Sequence, residues 1–182
     1  MKKLSNPFNK KINITTKDVA TIGMMVAIIE VSKFALSFMP NIELTTFWII
    51  MFTLYFGRKA GLAIPAFILV EGAIYGMNTW WIMYLYIWPL LVIITWIFRK
   101  TESILFWSIL SGIFGLCFGF LCSFVYFFIG FSTGGIRGGF ATAFPWWISG
   151  IPWDFIHCVG NFTFMMVLYT PIRSVMKRFA YN

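Results

Sequence analysis

Residues 80–100 read WWIMYLYIWPLLVIITWIFRK. Nineteen residues pass without a charge, and then an arginine and a lysine stand side by side. At helical rise, nineteen residues cover about 28 Å, close to the ~30 Å of hydrocarbon in a bilayer. A barrel strand would alternate apolar and polar residues over about ten positions, and this run does not alternate. An open sheet is excluded for a different reason, since its edge groups would find no partners in lipid. The stretch predicts a membrane-spanning helix that stops at Arg99-Lys100.

The rest of the chain repeats the pattern. Of 182 residues, 60% are hydrophobic and 11% charged, with a mean hydropathy of +0.83. Soluble domains carry about twice that share of charge, and a chain this short cannot hide such an apolar excess in its own core. Six apolar segments can be marked, at about 18–39, 43–56, 60–77, 80–98, 103–130 and 151–176. A glycine-rich stretch at 130–139, GFSTGGIRGG, reads as the loop before the last of them, and the start of that last helix is left open within 140–151. The expectation is one all-α membrane domain over residues 1–182, a six-helix bundle with residues 1–17 as a basic N-terminal segment. That segment lacks the apolar core of a secretory signal, so no cleavage is expected.

The basic residues set the orientation. The net charge is +8, and Lys2, Lys3, Lys10, Lys11, Lys17, Arg58, Lys59, Arg99, Lys100, Arg173, Lys177 and Arg178 make twelve of the fourteen lysines and arginines. With six spans, all twelve fall on one side. The positive-inside rule puts that side, and both termini, in the cytoplasm of a multi-pass plasma-membrane protein. Basic residues distributed between spans are a topology signal, and nucleic acid is not an expected partner.

The intramembrane polar groups are lopsided in the opposite sense. Helical rise puts Glu30 about 18 Å and Glu71 about 16 Å above the cytoplasmic end of their helices. In IPWDFIHCVGNF, residues 151–162, Asp154, His157 and Asn161 share one face at i, i+3, i+7 spacing. Charge at membrane depth is costly unless it is paired or faces water. Together with Lys33, these groups predict a polar cavity on the outer side. Six of the nine tryptophans (Trp48, Trp80, Trp81, Trp146, Trp147 and Trp153), with Tyr75, Tyr84 and Tyr86, fall toward the same end. That concentration suits a flat, partly apolar ligand held by stacking and a few hydrogen bonds. Ala20, Gly23 and Ala27 form a row of small residues low on the first helix, where a second protein can approach closely. Gly112, Gly115 and Gly119 read instead as internal packing of the fifth.

Much chemistry is missing from the sequence. It has no phosphate loop, GxSxG or HExxH motif, and no DNA-binding motif. Asp154 and His157 alone are a weak metal pair, so neither metal nor cofactor is expected. Cys117, Cys122 and Cys158 show no ligand spacing and read as small buried residues.

With these features in place, the chain resembles the substrate-binding S components of energy-coupling-factor (ECF) vitamin transporters. The likeness runs from the first helix to the C-terminus. It is carried by GMMVA at 23–27, which matches the family's A-x-x-x-A pattern with glycine for the first alanine. It is also carried by PNIELTTF at 40–47, YLYIWPLLV at 84–92, FGLCFGFLCSFVYFFIG at 114–130 and WWISGIPWDFIHCVGNF at 146–162. The fifth helix departs at its end, reading IGFSTGG. The resemblance implies a non-enzymatic subunit that binds a vitamin or related micronutrient from outside, with cobalamin the first candidate. It implies docking, through Ala20, Gly23 and Ala27, on a membrane coupling protein that carries two ATP-binding-cassette ATPases. Reorientation then releases substrate inside. Expected substrate-binding residues are Glu30, Asn41, Glu71, Trp80, Trp81, Tyr84, Asp154, His157 and Asn161. The competing readings are a membrane-embedded enzyme using Asp154 and His157, and a structural membrane protein whose polar groups tie helices together.

Overall fold

The computed structural model describes residues 14–180, so Lys2, Lys3, Lys10 and Lys11 of the basic N-terminal segment lie outside the described residues. The described residues are mostly helical, with no strand among them: α1 Thr16–Ala35, α2 Thr45–Phe56, α3 Arg58–Tyr75, α4 Thr79–Ile97, α5 Ile104–Leu116 and α6 Phe118–Ala180. Local signals account for the starts. Thr15 caps α1 in a reciprocal box with Asp18, and Asn78 accepts from the backbone N–H groups of Trp80 and Trp81 at the head of α4. Two elements are long and apolar enough to cross a membrane by length and composition, namely α4 and the run Ile104–Phe179 built from α5 and α6.

The sequence boundaries of α2, α3 and α4 agree with the structure to within two residues, whereas two expectations are corrected. The first helix ends at Ala35 rather than 39, and Leu36–Glu43 becomes a separate lip with Asn41 at φ 57. The glycine-rich stretch is not a loop. Within α6 only Gly134 and Gly135 leave helical geometry, and Gly135 takes φ 61, a left-handed value that favours glycine. The chain therefore turns back within two residues, and the last helix begins at 136, before the 140–151 window in which its start was left open. Glycine count misled the reading. Gly130 and Gly138 are helical residues, each needed because the other limb's backbone carbonyl occupies the space of a Cβ.

The resulting hairpin, 104–133 against 136–180, is the most extensive helix pairing in the molecule. Small residues let it close. A Cβ at Gly115 would lie 2.9 Å from the His157 carbonyl, and one at Gly112 would lie 3.3 Å from Phe162. At Gly119 the Asp154 carboxylate fills the space. The sequence reading of this row as internal packing is the observed arrangement. By contrast, Ala20, Gly23 and Ala27 are exposed on α1, and nothing lies within 4 Å of a Cβ built at Gly23.

The short α2 is the centre of the bundle and packs on each of the other five helices. It is apolar nearly all round, as a fully enclosed helix should be, and residues 45–47 and 49–53 are buried. Met25, Ile29, Phe67, Ile87, Trp88 and Trp107 close around it. The outer faces stay apolar, with Phe34, Phe38, Leu69, Phe128, Phe155 and Val167 each at least 60% exposed.

The two ends of the bundle differ. At one end Lys59 pairs with Asp18 at 2.6 Å, tying the start of α3 to the start of α1. Arg173 meets Glu102 at 2.7 Å, tying the last helix to the α4–α5 turn. The guanidinium beside it holds the Glu102 carboxyl below the usual carboxylate range. At the other end lie the α1–α2 lip, the end of α3 and the start of α4.

Crowding decides where a larger side chain is tolerated. Gly115→Leu should lower stability by about 1–3 kcal/mol through overpacking of the hairpin, whereas Gly23→Leu should stay within about 0.5 kcal/mol of wild type. Reversible unfolding in mixed micelles checks this, and equal losses at both positions would contradict the packing described.

Candidate functional site

A cavity of about 790 Å³ sits at the end of the bundle away from the Asp18–Lys59 pair. Five parts of the chain wall it. The lip gives Asn41 and Glu43, and Lys33 reaches up from α1. The end of α3 gives Glu71 and Tyr75, and α4 gives Trp80, Trp81 and Tyr84. The hairpin closes the last side with Phe118, Gly119 and Cys122 from one limb and Trp146, Trp153, Asp154 and His157 from the other. Asn41, Trp80 and Trp153 are exposed at the rim, while Glu71, Asp154 and His157 are buried.

The polar groups are held by specific contacts. Lys33 Nζ pairs with Glu71 Oε2 at 2.6 Å and donates to the Tyr84 hydroxyl oxygen at 3.2 Å. The same ammonium lies 5.0 Å from the Tyr84 ring centroid, 5.4 Å from that of Tyr75 and 5.9 Å from that of Phe67. Such positions are favourable because ring faces carry negative charge density. Asp154 Oδ1 accepts from the Gly119 backbone N–H at 2.9 Å. That donor is reachable because glycine lets the two limbs touch. His157 packs edge-on against Phe118, with centroids 5.0 Å apart, and its Nε2 stands 3.7 Å from Glu43 Oε1, beyond hydrogen-bond reach. Glu43 is steadied by the Thr45 hydroxyl, which donates to its Oε2 at 3.1 Å.

Three buried polar atoms around the cavity have no partner in the protein: Glu71 Oε1, Asp154 Oδ2 and His157 Nε2. Buried polar atoms are nearly always satisfied, because an unmade hydrogen bond costs about 1–3 kcal/mol. Together they leave hydrogen-bonding capacity unmet in the cavity wall.

The rings are fixed as firmly. The Trp81 indole N–H donates to the Ile68 carbonyl at 2.8 Å, and its ring lies where a side chain on Gly72 would be. Trp146 stacks on Tyr126 at 4.4 Å and approaches Trp80 at 6.2 Å. The mouth is thus ringed by aromatic side chains from both α4 and the hairpin.

Seven of the nine residues expected at the site line this cavity: Asn41, Glu71, Trp80, Trp81, Tyr84, Asp154 and His157. Two do not. Glu30 sits beside Glu71 without reaching the cavity wall. Asn161 is one helical turn below His157, where its Nδ2 donates to the Thr46 hydroxyl oxygen at 3.2 Å. Its backbone carbonyl accepts from Ser111 at 3.3 Å, so Asn161 knits the hairpin to α2. Sequence reading gave these two a position along the helix but not the direction of their side chains. Glu43 was missed as a site residue, although an acid in the lip before an apolar helix was a readable signal. Cys117, expected to be buried, is exposed at the break between α5 and α6.

Among the described residues, no three side chains of the His, Cys, Asp and Glu set converge as a metal centre would require. No protein-family model, curated protein or solved structure matches this chain.

The Lys33–Glu71 pair generates a prediction. Lys33→Met leaves a buried carboxylate uncompensated and should cost about 3 kcal/mol. Adding Glu71→Gln should recover most of that loss. Unfolding midpoints of the single and double variants test it, and a double variant no better than Lys33→Met would contradict the pairing.

Proposed function

We propose that this chain is the substrate-binding S component of an ECF importer for a vitamin or related micronutrient, cobalamin being the candidate that the sequence resemblance names. In this reading six helical segments cross the plasma membrane with both termini in the cytoplasm. The Asp18–Lys59 and Arg173–Glu102 end faces the cytoplasm, and the cavity faces outward. The carrying observation is the cavity itself, with buried polar atoms awaiting partners below a ring of tryptophans. The exposed apolar flanks suit lipid contact.

The exposed row Ala20, Gly23 and Ala27 supports the second half of the proposal. Ala20 is thirteen residues before Lys33, about 20 Å along the helix, so docking and substrate binding would use opposite ends of α1. An exposed small-residue strip, open above Gly23, lets a coupling protein's helix approach closely. ATP hydrolysis would belong to two partner ATPases, and the S component would carry substrate across by reorienting within the bilayer.

Two arms test the proposal. A panel of radiolabelled vitamins, cobalamin included, should yield one that the purified chain retains stoichiometrically. In cells that also make the coupling protein and both ATPases, uptake of that vitamin should fall at least tenfold in Ala27→Leu while binding to the purified variant is unchanged. Normal uptake in Ala27→Leu would reject the docking surface. A compound chemically altered on incubation with the chain, and no longer altered with Asp154→Ala, would favour an enzyme.

A further inference from the structure

The charges around the cavity run against those of the chain. The sequence has fourteen basic and six acidic residues. Three of the six acids, Glu43, Glu71 and Asp154, line the cavity, and a fourth, Glu30, sits beside Glu71. Of the ten basic residues among the described residues, only Lys33 is in the wall. Its ammonium is committed to Glu71 at 2.6 Å. Glu43 lies within the electrostatic reach of Lys33 and faces His157 Nε2 at 3.7 Å, which leaves Asp154 as the wall carboxylate with no basic side chain beside it.

Asp154 shows the imbalance most clearly. The residue is 6% exposed, one carboxylate oxygen is held by the Gly119 N–H, and the other has no partner. A carboxylate taken out of water without a counter-charge is strongly disfavoured. A cation arriving in the cavity would supply what the wall lacks. The rings favour the same sign of charge. Trp80, Trp81, Tyr84, Trp146 and Trp153 present aromatic faces and edges around the space, and indole is the best ring partner for a cation. The protein already uses this chemistry within the same wall, where three rings surround the Lys33 ammonium.

Building on the importer reading but setting aside its cobalamin candidate, we infer that the ligand is a flat nitrogen heterocycle bearing a positive charge, stacked among the tryptophans with its cationic edge toward Asp154 and Glu43. A cavity of about 790 Å³ lies within the range that holds a small-molecule ligand whole. Asp154 and Glu43 supply the counter-charge, and His157, whose Nε2 is also unpartnered, supplies a hydrogen bond to a ring substituent.

Intrinsic tryptophan fluorescence of the purified full chain tests this at constant pH with compounds that differ in charge. The cations are 1-methylnicotinamide and thiamine. The neutral compounds are nicotinamide, riboflavin and cyanocobalamin, and the anions are nicotinate and biotin. The tightest ligand should be a cation, at least tenfold tighter than any neutral or anionic compound. Within the shape-matched nicotinamide set, the order should be cation, neutral, anion. Asp154→Asn keeps an acceptor for the Gly119 N–H and should weaken the cation at least tenfold. Glu43→Gln should weaken it as well, and Glu102→Gln, at the far end, should leave it unchanged. A neutral or anionic compound binding tightest overturns the inference, as does no saturable binding by either cation, or a cation affinity unmoved by both cavity variants. The importer reading fails separately. A neutral vitamin imported only with the ATPase pair rejects the charge assignment alone, whereas a bound cation whose uptake ignores the ATPases rejects the importer alone.

Discussion

The close contact between the two limbs of the hairpin carries the rest of the structure. Gly112, Gly115 and Gly119 present bare backbone to the 136–180 limb, and that limb brings Cys158, His157, Asn161 and Asp154 against them. Without a Cβ in the way, one carboxylate oxygen of Asp154 reaches a backbone N–H, and Asn161 reaches across to α2. A helix pair held at an ordinary separation would leave these buried polar groups short of their partners, at a cost of about 1–3 kcal/mol each. The glycines thus turn an unaffordable set of side chains into a wall.

That wall meets the bundle at α2. Because α2 is enclosed on nearly every side, its threonines have only protein to bond with, and Thr46 receives Asn161 while Thr53 donates to the Ile49 carbonyl at 2.7 Å. The base of the cavity is therefore rigid, since its helices are fixed by hydrogen bonds as well as by packed rings. Its mouth is built differently, from the α1–α2 lip and from exposed tryptophans. Charge follows the same division. Exposed ion pairs join helices at one end, and buried carboxylates gather at the other.

Much of this was legible in the sequence. The uninterrupted apolar run at 80–98 gave α4 nearly to the residue, and Arg58-Lys59 marked the α2–α3 turn. Helical rise, with the topology read from the basic residues, put Glu71, Asp154 and His157 toward one end of the helices, and seven of nine expected residues line one cavity. What failed was direction and continuity. Depth does not say which way Glu30 or Asn161 points, because that depends on crossing angles between helices. Glycine density at 130–139 suggested a loop, yet there most glycines serve the tight crossing of two helices, and only Gly134 and Gly135 make the turn. Glu43 escaped notice because its lip is an irregular segment, whose course is set by Pro40 and the left-handed Asn41 rather than by any periodic pattern.

The central claim is that the cavity end and the cationic end of the bundle face opposite sides of a membrane. Sided thiol labelling tests it most directly, in a background with Cys117, Cys122 and Cys158 replaced by alanine. A membrane-impermeant maleimide should label Asn41→Cys in intact cells, and should label Lys100→Cys only after the cells are opened. Labelling of both positions in intact cells, or of Lys100→Cys alone, would contradict the account.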